Sequence, residues 1–123
     1  MPHVVFNKQI DLEEFCRKFQ TLFQKEPQII RMQEVFLNKE KNTLLIPTLV
    51  IDEFHQEFMI EIITKEDRTT LRLYPQTDPQ KTVGVKIAMG LIVQIILRMM
   101  KDIYITKTNI YQYVPKKLTS DLS

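Results

Sequence analysis

The stretch from Val83 to Met100 constrains this chain more than any other. At helical spacing, Val83, Ile87, Ala88, Leu91, Ile92, Ile95, Ile96 and Met99 form one broad apolar face. Val85, Met89, Val93, Leu97 and Met100 widen it until a narrow Lys86-Gly90-Gln94-Arg98 stripe is all that stays polar. A helix apolar most of the way round is buried on more than one side. In a chain of 123 residues one sheet does not cover all of it, so a second layer is expected. Another subunit is the natural candidate, and the chain's own C-terminal segment is the alternative. The apolar run Ile87 to Leu97 is broken by Gln94 and falls short of the roughly 20 residues that a spanning helix needs. The start signal is Asp78 as N-cap with Pro79 in the first turn, and the helix is predicted to end near Lys101.

The preceding segments read as strands and one further helix. Pro2 to Phe6 is a strand, since a proline at a strand's first position need not donate to the ladder. Asp11 with Glu14 three residues on resembles a capping box. Leu12, Phe15, Cys16, Phe19, Leu22 and Phe23 follow at helical spacing, so a helix is predicted from Asp11 to just before Pro27. Ile29–Leu37, Thr43–Ile51, Phe58–Thr64 and Arg68–Tyr74 read as four strands, joined by polar turns at Asn38–Asn42, Asp52–Glu57 and Lys65–Asp67. Pro47 points to an edge or a bulge in the second of them. In the fourth, Thr69, Leu71 and Leu73 alternate with Arg68, Thr70, Arg72 and Tyr74, which predicts one buried and one polar face. Arg72→Ala is accordingly expected to cost less than about 1 kcal/mol. Ile103–Thr106 and Asn109–Val114 read as short strands, and residues 116–123 as a loose tail after a single domain over 1–115. The expected class is α+β: β-α-β-β-β-β-α-β, one mostly antiparallel sheet with two helices packed on it.

Charge and cysteine usage narrow the function. A formal net charge of +2, with Lys and Arg spread among Asp and Glu, gives no basic stripe for nucleic acid. Cys16 is alone, which rules out an intrachain disulfide and fits a reducing, cytoplasmic compartment. It lies on the apolar helix face, the setting of a core residue rather than a nucleophile. No basic-then-apolar leader opens the sequence and no membrane partner is expected.

Most catalytic constellations are missing. Gly84 and Gly90 both fall within the second helix, so there is no phosphate loop. His3 and His55 have no carboxylate or thiol companions at metal-ligand spacing, and neither a metal nor a cofactor is expected. His55 and the tyrosines 104, 111 and 113 are ordinary turn, sheet and core residues on this reading. Pro2 remains. Removal of an initiator Met before a proline leaves a secondary amine at the N-terminus, in a class that titrates near about 8. An apolar pocket and nearby cations lower that value, and such an amine then serves as a general base. Arginines supply the grip on a carboxylate or oxyanion. The residues alone leave both readings open: strand starter or catalytic amine.

MPHVVF, followed by an amphipathic helix, strands, a second helix and a last strand, resembles the tautomerase superfamily, and within it the 5-carboxymethyl-2-hydroxymuconate isomerase family. The resemblance implies a cofactor-free isomerase acting on a small unsaturated keto or enol acid, with Pro2 as base and a trimeric assembly. Ile30-Arg31 resembles the family's Ile-Arg, which makes Arg31 the carboxylate binder. The family's second arginine lies before helix two, where this chain reads Tyr74 to Lys81; Lys81 or Arg72 takes that role. The meander also carries an additional hairpin. The rival reading is a non-catalytic oligomeric binding or assembly module. Strand, helix, four-stranded meander and helix is also the order in one half of the TATA-box-binding protein fold.

Overall fold

The computed structural model describes residues 1–114. The tail expected at 116–123 lies outside the described residues. One antiparallel sheet carries two helices on one face, an α+β architecture. The strands are β1 (His3–Phe6), β2 (Leu22–Gln24), β3 (Ile29–Met32), β4 (Phe36–Leu37), β5 (Thr43–Ile51), β6 (His55–Lys65), β7 (Arg68–Leu73) and β8 (Ile105–Thr108). Their order is β2-β3-β5-β6-β7-β1-β8, with β4 continuing along β5 beyond β3. The N-terminal strand thus sits inside the sheet, antiparallel to both β7 and β8.

Period-two alternation accounts for the long strands. Along β5, Leu44, Ile46, Thr48 and Val50 are buried while the residues between them are half-buried. Phe58, Ile60, Ile62 and Thr64 of β6 and Thr69, Leu71 and Leu73 of β7 continue the same buried face. Helices α1 (Leu12–Lys18) and α2 (Val83–Met99) close over it. Leu12 and Phe15 of α1 and Val85, Ala88, Met89, Ile92, Val93 and Ile96 of α2 join a single hydrophobic cluster with the strands. No helix among the described residues is long and apolar enough to cross a membrane.

Three expectations are corrected. The first helix ends at Lys18 instead of running towards Pro27, because Leu22, Phe23 and Gln24 pair with Met32, Arg31 and Ile30. Non-local ladder bonds override the local helical spacing there. The second helix begins at Val83, one turn later than Asp78-Pro79 implied. Thr82 is its N-cap, its hydroxyl accepting from Val85 N–H at 3.3 Å, while Pro75–Thr77 forms a separate 3-10 turn. The predicted strand Asn109–Val114 is a 3-10 turn at Tyr111–Tyr113. That turn lies on α2 at Gly90: a Cβ there would meet the Tyr113 carbonyl oxygen at 1.9 Å. The C-terminal segment therefore supplies part of the second layer that α2 requires, and Lys86 reaches over the Tyr113 ring at 5.8 Å.

Candidate functional site

Both helices lie on one face of the sheet, and among the described residues no element covers the other. Its side chains follow from register. One cross-strand row reads Phe23, Arg31, Leu49, Glu57, from β2 through β3 and β5 to β6. Another reads Phe36, Leu45, Glu61, Arg72, His3, from β4 to β1. Pro47 and Met59 lie between the rows. The surface is apolar at its centre and carries mixed charge around it. Phe23 is 57% exposed and Phe36 55%, unusual for rings of that size.

Pro47 explains why this face is grooved rather than flat. Met59 N–H donates to the Thr77 hydroxyl at 3.0 Å, and its carbonyl accepts from Tyr74 N–H at 2.8 Å, so its backbone turns towards β7 and the 3-10 turn at Pro75–Thr77. Pro47, paired with Met59, then faces the opposite way, towards β3 and β4. It has no N–H to offer there. The neighbouring strand breaks at that place: β3 ends at Met32, β4 starts at Phe36, and Gln33, Glu34 and Val35 leave the ladder. The expectation of an edge strand or a bulge at Pro47 is corrected: β5 is an inner strand that pairs β6 without a register shift, and the interruption falls in the neighbouring strand instead. The gap opens a groove of about 410 Å³, lined by Arg31, Glu34, Phe36, Leu49, Glu57 and Met59 among others.

The four residues singled out in the sequence do not converge. Pro2 is buried and lines neither this groove nor the smaller pocket beside α1. The carbonyl of Met1 before it accepts from Asn109 Nδ2 at 2.8 Å, and His3 N–H donates to Asn109 Oδ1 at 3.0 Å. Arg31, which lines the groove, is four strand spacings from β1, roughly 19 Å across the sheet. Arg72 stands next to His3, but its Nε donates to Glu61 Oε1 at 2.8 Å. Lys81 is paired with Asp78 at the surface.

Glu61 was not legible as a site residue. It is 6% exposed although it belongs to the uncovered face, and Arg72 is its ionic partner. Nor was Glu57 legible: the polar run Asp52–Glu57 predicts a turn there, whereas β6 starts at His55 and takes Glu57 into the sheet. A signal for the face existed, though not for these two residues: strand β5 is apolar on each side, with Leu45, Pro47 and Leu49 alternating against Leu44, Ile46 and Val50, the pattern of a strand that calls for cover on both.

Two titratable groups elsewhere are perturbed. Burial pushes the Cys16 thiol up and the Glu13 carboxylate adds to the effect, leaving it a poor nucleophile. For Asp52, burial raises the carboxyl pKa, but hydrogen bonds from the Thr82 hydroxyl and from the backbone N–H groups of Phe54, Gly84 and Glu53 outweigh it and hold the value below the usual range. Asp52 accordingly occupies the N-terminus of α2, with Gly84 N–H donating at 2.9 Å. Among the described residues no three His, Cys, Asp or Glu gather as a metal site. No family model, curated protein or solved structure matches the chain.

Proposed function

We propose that this chain is a non-catalytic binding or assembly module and that the helix-free face of its sheet is the working surface. The observation that carries this reading is the apolar centre of that face, Leu45, Pro47, Leu49 and Met59, flanked by the exposed rings of Phe23 and Phe36. Soluble proteins rarely leave a contiguous apolar patch uncovered without a use for it. The charge on the face is mixed, Arg31 and Arg72 with Glu57 and Glu61, which favours a protein partner over nucleic acid. Proline chemistry finds less support: it needs the Pro2 nitrogen and a carboxylate-binding arginine beside one cavity, and Arg31 lies across the sheet from Pro2.

Hydroxyl-radical footprinting tests the reading. Met59 and Phe36 are expected to be protected in the cells that make the protein and to label readily in dilute purified material. Equal labelling in both settings would sink it.

A further inference from the structure

We propose that the occupant of the uncovered face is a second copy of this chain, packed sheet to sheet about a two-fold axis that runs along β5; the proposal rests on the reading of that face as a binding surface. The register supplies the argument. Arg31 pairs with Leu49, and Leu49 pairs with Glu57, so the two opposite charges flank β5 at one height, one strand to either side. Neither pairs with a lysine or arginine, or with an aspartate or glutamate, among the described residues. Among the described residues Arg31 makes no ion pair, and Glu57 has only His55 Nε2, at 3.7 Å, within ion-pair reach. The Glu57 side chain is 79% exposed.

A two-fold rotation about β5 exchanges the two sides of the sheet. It lays Arg31 of each copy over Glu57 of the other, giving two equivalent ion pairs. Between them Leu45, Pro47 and Leu49 meet their own counterparts, an apolar centre with a charged rim. The same rotation brings each Phe36 over the other copy's Glu61–Arg72 pair, where a ring can rest on the guanidinium. Interfaces between identical copies are self-complementary in this way, and aligned sheets pack about 10 Å apart. The alternative in-plane axis, across the strands at Pro47 and Met59, is disfavoured. Glu57 and Glu61 are symmetric about Met59, so that axis would face Glu57 with the other copy's Glu61, like charge against like.

Charge exchange tests the axis. In sedimentation velocity at high micromolar concentration the purified chain is expected to be a dimer. Arg31→Glu and Glu57→Arg should each weaken self-association by at least about tenfold, since each places like charges together twice. Both sites are exposed, and unchanged circular dichroism and melting would show that the fold is intact. The two single variants mixed together should form a heterodimer of near wild-type affinity, and the double variant should recover self-association. A chain that stays monomeric while Met59 and Phe36 are protected in cells would overturn the dimer and leave the binding face standing, with another macromolecule as occupant. A dimer indifferent to both reversals would also overturn it, by placing the contact elsewhere. Absence of both dimer and protection would remove the binding face itself.

Discussion

Arg72 is held by Glu61, its Nε donating to Oε1 at 2.8 Å between two neighbouring strands. Its strand puts it on the polar face, as read, and solvent reaches 38% of its side chain. Its partner Glu61, however, is buried, and that partner sets the energetics. Removing the guanidinium strands a carboxylate with little access to water, at a cost of about 1–3 kcal/mol. Arg72→Ala should therefore lower the urea midpoint clearly, while Arg72→Ala with Glu61→Gln recovers part of the loss. A loss below about 0.5 kcal/mol, the scale of surface substitutions, would mean that Glu61 finds water unaided. The polar face was legible because β7 alternates strictly. The pairing was not, because Glu61 comes from β6 and which residue faces Arg72 is decided by the turn at Lys65–Arg68, not by either strand's own pattern.

Helix α2 carries the corresponding lesson among the elements. Its existence and its need for cover followed from composition, since nearly every position is apolar and no exposed helix tolerates that. Its start did not. Asp78-Pro79 is the stronger local signal, yet Thr82 and the distant carboxylate of Asp52 cap the helix, a contact made across 32 positions of sequence. Asp78→Ala should leave stability nearly unchanged, whereas Asp52→Ala should cost about 1 kcal/mol, the usual worth of a cap. The cap has a pH signature. The folded carboxyl of Asp52 titrates below its unfolded value near 3.9, so ionised Asp52 stabilises the fold above that pH and the contribution disappears as pH falls through the lower folded value. The difference in urea midpoint between wild type and Asp52→Asn should hold from pH 7 to about pH 5 and shrink below about pH 4. A constant difference would assign the effect to shape and not to charge. Helix α1 failed in the opposite sense: Leu22 and Phe23 keep its spacing, but β3 offers them ladder bonds and the helix stops at Lys18.

At the scale of the whole molecule, the two faces of the sheet make different demands, and two substitutions separate them. Ile92 of α2 is fully buried against the core face, whereas Leu49 of β5 is half-buried at the centre of the open one. Ile92→Asp places an unpaired charge among apolar side chains, at a cost that a domain of this size cannot absorb. It should abolish cooperative unfolding and with it any assembly. Leu49→Asp presents its charge to solvent in the single chain, so the fold survives. In the proposed dimer position 49 meets its own counterpart, so the variant would set two buried carboxylates against each other, and association should fail. The wild-type melting temperature should therefore rise with protein concentration, as it does whenever folding and association are linked. Leu49→Asp should melt at one temperature at every concentration, close to that of dilute wild type. If wild type itself shows no concentration dependence while Leu49→Asp melts lower, Leu49 belongs to the packing of the single chain, and the open face is not where copies meet.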